Sequence, residues 1–332
     1  MKNQLNLLLA SVLGVASLTA CQNDDAEEVM NSVRSITVST DYDALTRAGG
    51  MNQEELKKKS FYLYIDQSED SEQDYFVKMK WEGNAWKAYN PADGTTSVTL
   101  KTDSETLQAK VVALFYDSET ALTKEAFEAA ETGYTINSDA ESSYSPDMLY
   151  AMTEEVQPQQ ATSGLNCGEV TITGTTINVK FKHALSRLRF NIDCSKIEVS
   201  SIRVNDVVNS FTWKAVANTD FVLGSTKGSF NVALPTVSEQ AVRIGGNIQT
   251  AECFLVPQIS TFKVEVNYKI VSDGKTYKAE YTYDNETFVS GQSYSMALPP
   301  AEGQTQSPIT RAAVNEGDWE NSSPGAGTVT QQ

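Results

Sequence analysis

From Ser35 to Ala44 the chain alternates without a break. Ile36, Val38, Thr40, Tyr42 and Ala44 fall on one side, and Ser35, Thr37, Ser39, Asp41 and Asp43 on the other. A period of two predicts a half-buried strand. The same period recurs downstream. Phe61, Leu63 and Ile65 alternate with Tyr62 and Tyr64, and Tyr75, Val77, Met79 and Trp81 alternate with Phe76, Lys78 and Lys80. Glu82-Gly83-Asn84 then turns the chain into Trp86–Tyr89, which predicts a hairpin. Lys110–Tyr116 is a continuous apolar run, the pattern of a strand buried on both faces. Helical signals are few. Asn52-Gln53-Glu54-Glu55 is a cap pattern before a short polar run, and Thr123–Thr132 reads as one helix capped by Thr123 and stopped by Gly133.

The second half continues in strands. Short ones are predicted at Met148–Met152, Thr175–Phe181, Ile197–Val204, Phe211–Val216, Ser229–Leu234, Ala241–Ile244 and Glu252–Val256. Val264–Ile270 and Tyr277–Tyr283, on either side of Asp273-Gly274, form the clearest hairpin, and Ser293–Leu298 is the last strong strand before Pro299-Pro300. Around Lys182–Ile192 the parity slips: Phe181, His183 and Leu185 share one side, Leu188, Phe190 and Ile192 the other. A bulge near Ser186 and Arg187 would reconcile them. Many short strands with turn signals and little helix predict an all-β chain of two tandem β-sandwiches, with one short helix in the first.

Composition sharpens this. The chain has 332 residues and a formal net charge of −17. The charge is uneven, with 27 Asp and Glu against 11 Lys and Arg between Gln22 and Gln160, and near neutrality from Ala161 to Pro300. An acidic surface repels phosphate backbones, so nucleic acid is not an expected partner. The acidic loop Asp66–Asp74 lacks the ligand spacing of a calcium site.

Catalytic chemistry finds little support. His183 is the only histidine and sits within a predicted strand, where a half-buried structural role is expected. There is no GxSxG elbow, phosphate-cradling glycine loop or HExxH, and no pair of carboxylates is singled out for glycoside hydrolysis. Neither a metal nor a cofactor is expected. Cys167, Cys194 and Cys253 allow either one bridge and one free thiol or three buried apolar groups, and the second reading is favoured. The pair Trp81 and Trp86 is either an exposed sugar-stacking platform or a cross-strand aromatic pair covering a core; the latter is the commoner use. Asn285-Glu286-Thr287 and Asn321-Ser322-Ser323 match the glycosylation pattern by chance.

The ends of the chain carry processing signals. Lys2 precedes an apolar stretch, Leu5–Ala20, too short for a lasting membrane span, and Leu18-Thr19-Ala20-Cys21 resembles a bacterial lipobox. The resemblance implies that Cys21 becomes the lipid-modified N-terminus, with acyl chains as the membrane hold. Gln22-Asn23-Asp24-Asp25 resembles the acidic signal that sends lipoproteins of the Bacteroidetes to the outer surface. Arg47-Ala48-Gly49-Gly50, a basic residue before small flexible ones, suits an extended protease cleft.

Taken with the lipobox, Phe181–Phe190, Phe254-Leu255-Val256-Pro257-Gln258 and Gly291-Gln292-Ser293-Tyr294 make the chain similar to the fimbrillin family of the Bacteroidetes, the pilins of type V pili. The resemblance implies two sandwiches of transthyretin-like topology and cleavage between Arg47 and Ala48 by an arginine-specific protease. Removal of the first strand would open a groove that a neighbouring subunit's tail fills, with other pilin subunits as partners and adhesion to host or bacterial surface ligands as the outcome. Ile309, Val314 and Trp319 are the candidate anchors of that tail, although Pro308–Trp319 alternates poorly and Glu316-Gly317-Asp318 is turn-like. A tip, an anchor or a non-polymerising surface lipoprotein is the other reading. Arg34 and Arg311 are competing basic sites. The expected organisation is a signal peptide over 1–21, a linker over 22–34, an N-terminal sandwich over 35–194 whose residues 35–47 are removable, a C-terminal sandwich over 195–300 and a tail over 301–332. The loop at 156–168 is the competing domain boundary.

Overall fold

A computed structural model describes residues 33–41, 53–67, 74–115, 122–128, 132–135, 147–153, 164–234, 248–272, 274–300 and 310–311. The expected strand over Ala241–Ile244 lies outside these residues. The described part is nearly all β, with no helix of seven or more residues.

The first alternating segment forms two short strands, β1 (Arg34–Ser35) and β2 (Thr37–Asp41), separated by Ile36. Ile36 is buried, Val38 and Thr40 are half-buried, and Thr37 and Ser39 are exposed, the parity expected from the alternation. A five-residue helix, α1 (Gln53–Lys57), leads into β3 (Ser60–Asp66). The predicted hairpin is β4 (Tyr75–Glu82) and β5 (Ala85–Tyr89), turning through Gly83 and Asn84, both at positive φ. Two central residues in the left-handed region match the strand twist, and glycine and asparagine adopt it most readily. Next come β6 (Ser97–Val98), β7 (Lys101–Thr102) and β8 (Lys110–Phe115).

The helix expected over Thr123–Thr132 is shorter. Thr123 Oγ1 accepts from the Ala126 N–H at 3.2 Å, but α2 spans only Lys124–Glu128, and Thr132–Thr135 is strand β9. The tertiary environment decides the difference: Tyr134 on β9 is buried and stacks on Phe211 at 5.3 Å, which outweighs the weak tendency of a short isolated helix to continue. Strands β10 (Leu149–Thr153), β11 (Gly168–Thr173), β12 (Thr176–Lys180) and β13 (Lys182–His183) follow. The large sheet runs β2-β12-β11-β10-β8-β3-β4-β5-β6, with β13 on β10.

The sheet curls. The Trp86 indole N–H on β5 donates to Thr40 Oγ1 on β2 at 3.0 Å, joining opposite parts of the strand order around a first core that includes Ile36, Phe61, Trp86, Ile177 and Phe181. The other face of β3, β8 and β10, with Tyr62, Val112, Leu114 and Tyr150, belongs to a second and larger core. This accounts for the unbroken apolar run at β8, which has water on neither side.

The remaining strands are β14 (Ser186–Asp193), β15 (Ile197–Val208), β16 (Ser210–Lys214), β17 (Thr219–Leu223) and β18 (Lys227–Asn231). They are followed by β19 (Ile248–Leu255), β20 (Gln258–Ile270), β21 (Thr276–Phe288), β22 (Ser293–Leu298) and β23 (Thr310–Arg311). Two four-stranded sheets, β19-β14-β22-β23 and β18-β15-β20-β21, contribute to the second core, and β17-β16-β9 form a third small sheet. The expected hairpin is β20 and β21, in antiparallel register with Val264 opposite Tyr281.

The parity slip near Ser186 has a different cause from a bulge. The Ala184 N–H still bonds Met148 O at 2.9 Å beside β10, whereas three residues later the Arg187 N–H bonds Gln292 O at 2.9 Å before β22. The chain changes sheets between β13 and β14, and its inward face changes with it. Strand β14, expected to complete the N-terminal sandwich, pairs with β19 and β22 instead.

Candidate subunit interface: the seat of the first strand

The first segment changes partners at its buried residue. Before Ile36, β1 pairs antiparallel with β7, Arg34 lying opposite Thr102; after it, β2 pairs parallel with β12, Thr37 opposite Thr176 through Asp41 opposite Lys180. The Ile36 N–H reaches Leu100 O at 3.0 Å and the Thr37 N–H reaches Thr175 O at 3.1 Å, so the exchange leaves no donor without an acceptor at the crossing. Side chains reinforce both halves. Arg34 Nη2 donates to Glu105 Oε1 at 2.8 Å, Ser39 Oγ donates to Asn178 Oδ1 at 2.6 Å, and the Thr37 and Thr176 hydroxyls lie 2.8 Å apart.

Beneath this strap lies apolar material. Ile177 and Val179 on β12 are fully buried, and Ile36 joins them in the first core with Leu100 and Trp86. Loss of the strap would leave the N–H and C=O groups of β12 on that side unpaired beside a newly opened apolar trough. A free edge over an apolar groove accepts an added strand: main-chain bonds supply affinity and alternate pockets supply selection.

Arg47 lies six positions beyond the end of β2 at Asp41. Arg47, Ala48, Cys21, Ile309, Val314 and Trp319 all lie outside the described residues. Of the competing basic sites, Arg34 starts β1 and is ion-paired with Glu105, and Arg311 lies in β23 opposite Tyr294. The tail therefore touches its own molecule: Thr310 and Arg311 extend the edge of β22 by two residues.

The three short motifs converge elsewhere, at the crossing between sheets. Every residue from Phe181 to Phe190 is buried except Lys182, which is half-buried. Gly291, at φ +71, donates its N–H to Leu185 O at 2.9 Å; a Cβ there would meet the Asn166 side chain. Asn166 Nδ2 in turn bonds His183 O at 3.0 Å, and Ser186 Oγ bonds Val289 O at 2.8 Å. Gln258 closes the far side by accepting from the Val208 N–H at 2.9 Å and donating to Val208 O at 3.0 Å. These motifs build the frame, and of their residues only Phe181 belongs to the core beneath the first strand.

His183 is fully buried rather than half-buried, and its Nδ1 lies 2.7 Å from Asp147 Oδ2, also fully buried. The pair ties β13 to the residues before β10, away from any solvent that a general base would need. Arg187, equally buried, places Nε 3.1 Å from Ser293 Oγ. Buried charges of this kind are held by partners rather than offered to substrates. Among the described residues no three His, Cys, Asp or Glu are placed to hold a metal ion.

Cys167, Cys194 and Cys253 are free thiols; only Cys253 is buried, Cys167 and Cys194 being half-buried against the core, so the expectation of three buried groups holds for one of them, and desolvation pushes the thiols of Cys167 and Cys253 above the ordinary range. Trp81 and Trp86 are directly cross-strand and edge-to-face at 5.5 Å. Trp86 is inside the core, so the two do not form an exposed platform.

Several solved structures share similarity with this chain. A proposed cell adhesion protein of Bacteroides uniformis is 12% identical, with 84% of this chain and 97% of that one covered at a TM-score of 0.49. A second, from Bacteroides ovatus, is also 12% identical, with 85% and 96% covered at a TM-score of 0.49. The fimbrial anchor protein Mfa2 of Porphyromonas gingivalis is 7% identical, with 84% and 95% covered at a TM-score of 0.32. No curated protein matches the chain. A family model described as Fimbrillin-like matches residues 46–316, most of the sequence, and the chain belongs to that family.

Proposed function

We propose that the chain is a structural subunit of a surface fimbria. It is exported as a lipoprotein on Cys21, cut between Arg47 and Ala48, and joined to its neighbours by donor-strand exchange at the outer membrane. The observation that carries this reading is the seat of the first strand: a strap over Ile177 and Val179 that ends at Asp41, six residues before Arg47. Cutting there frees the strap from the body of the fold, and a neighbouring chain's tail, anchored by Ile309, Val314 and Trp319, replaces it. Heads and tails would then repeat in one direction to give a filament. Two sandwich domains remain part of this reading, and the pairing of β14 favours a division at Ala184–Leu185 rather than near Cys194.

Digestion of the soluble chain with an arginine-specific protease tests it. A new N-terminus at Ala48 and growth into larger assemblies are expected, and deletion of residues 307–332 should abolish growth while leaving cleavage intact. An uncut chain, or a cleaved chain that stays monomeric, would refute polymerisation.

A second reading, a tip, anchor or non-polymerising adhesin, draws support from β23. Its two residues pair with the molecule's own β22, so at least this part of the tail has a place at home. Immunogold labelling separates the two readings: label along a filament indicates a stalk subunit, and label at one end or over the cell surface indicates the other roles.

A further inference from the structure

The pairings and side-chain bonds of the first strand all go to residues beyond Ala48. Arg34 and Ser35 pair with Thr102 and Lys101, and Thr37–Asp41 pair with Thr176–Lys180. Ile36 lies in the first core with Leu100, Ile177 and Val179, while Trp86, Asn178 and Glu105 each hold one side chain of the strap. A cut between Arg47 and Ala48 ends the covalent tie and removes none of these contacts. It turns an intramolecular pairing into a bimolecular one, so the loss is confined to the effective concentration that the linker supplied, roughly millimolar for a short flexible one.

The seat also discriminates. It takes an aliphatic group at Ile36, a half-buried side chain two residues on at Val38, and a hydrogen-bond acceptor two residues after that at Thr40, where the Trp86 indole N–H points. Trp86 is itself buried, and a buried donor left without an acceptor carries a desolvation cost. The tail meets these demands one at a time. With Ile309 in the place of Ile36, Thr310 repeats Thr37, but Arg311 takes the half-buried place of Val38 and Ala313 stands where Thr40 accepts. With Val314 there, Asp318 supplies an acceptor, but Glu316 takes the place of Val38. With Trp319 there, Ser323 supplies an acceptor, but an indole replaces the isoleucine and Asn321 replaces Val38. In each register the native strand suits its own seat better than the tail does.

We infer that the first strand stays seated after the cut: residues 34–41 hold the severed subunit non-covalently, as a peptide ligand of the groove lined by β7 and β12, until a donor tail displaces them. The biological setting of this step rests on the proposed processing. The piece on the N-terminal side of the cut carries Cys21, so a seated strap would moor the severed subunit at its lipid anchor instead of releasing it into solution. A groove that stays filled until the exchange also presents no open strand edge to unrelated chains. Released strap would then compete with the tail for the same seat, and assembly would slow wherever the cut pieces accumulate.

A nicked chain tests the inference. The soluble full-length chain carries the recognition sequence of a site-specific viral protease in place of residues 45–51, so that a nick is obtained whatever an arginine-specific protease does. A fluorophore on its N-terminal amine reports by anisotropy whether the N-terminal fragment remains bound. One fragment per body should remain, with a dissociation constant on the order of 1 μM, a thousandfold below the linker's effective concentration. In variants whose circular dichroism matches the parent before nicking, Ile36→Ala should weaken the hold about a hundredfold and Thr40→Val about tenfold. Ser35→Ala, at an exposed position, should change it by less than about twofold. A peptide of residues 307–324 should displace the fragment only in about tenfold excess, the ratio of one unmet buried hydrogen bond. Immediate release from the nicked parent overturns the inference, and so does equal retention by the Ile36→Ala and Thr40→Val chains, which would mark unspecific adherence. Displacement by equimolar tail peptide overturns it as well, since the strap would then be the weaker ligand. Cleavage at Arg47 and filament growth are scored in their own assay, so the fimbrial reading can fail while the strap stays seated, and the reverse.

Discussion

The two edges that strand exchange would use are built differently. The first strand is held by two partner strands, a buried isoleucine, a bond donated by Trp86 and bonds that Ser39 and Arg34 donate to Asn178 and Glu105. The described part of the tail is held by two residues of pairing on β22. On the proposed exchange, the segment that would be lost is thus firmly seated, whereas the described residues of the segment that would be given away make only that short pairing. Spontaneous loss of the first strand would be slow and costly, which is why a cut, rather than thermal escape, suits the control of assembly.

The largest way to break this comparison is to start the chain at Ala48. Stripping the strap removes Ile36 and uncovers Ile177 and Val179, so a loss on the order of 5 kcal/mol is expected, at about 2 kcal/mol per buried aliphatic group. Thermal unfolding should register it, and a synthetic peptide of residues 35–44 added in excess should restore much of it. A shortened chain as stable as the parent would mean that the strap is ornamental. Ile36→Ala in the full chain isolates the anchor and should cost about 2–4 kcal/mol in denaturant unfolding. Trp86→Phe keeps most of the volume but removes the donor to Thr40, and about 1 kcal/mol is expected by the same measurement. Smallest should be truncation after Pro300, which removes the short pairing on β22 and should shift stability by less than about 1 kcal/mol. A larger loss there would show the tail to be as firmly seated as the first strand and would collapse the distinction.

Much of this architecture is legible along the chain because alternation is a local property. The strands β2, β3 and β4, the glycine-asparagine turn before β5 and the hairpin of β20 and β21 all announce themselves within a few residues. What escapes is pairing at a distance. Nothing near Thr132–Thr135 predicts a strand, because its partner is Ser210–Lys214, and the same residues read alone favour a helix. The fully buried pair of His183 and Asp147 is invisible in sequence for the same reason. The slip in parity near Ser186 was a true signal with two explanations, and only the transfer of hydrogen bonds from Met148 to Gln292 distinguishes them. Of the seat, the strand could be read, but not its change of partner at Ile36, since Lys101–Thr102 and Thr176–Lys180 are far apart in the chain. The same holds for Lys57-Lys58-Lys59, which looks like the end of a polar helix until Lys78 and Lys80 of β4 are brought against it.

The buried crossing from Ala184 to Phe190 has a consequence for folding order. Its residues serve the large sheet on one side and β14 on the other, so neither half can complete its core while the other remains open. Such a chain should melt in a single cooperative transition rather than two, with calorimetric and van't Hoff enthalpies in agreement. It should also fold slowly, because pairings such as β14 with β22 must close more than a hundred residues of intervening chain before any gain is realised. An exported subunit that folds slowly would travel for some time with its edges open, and the strap at its front end would be among the first pieces available to cover one.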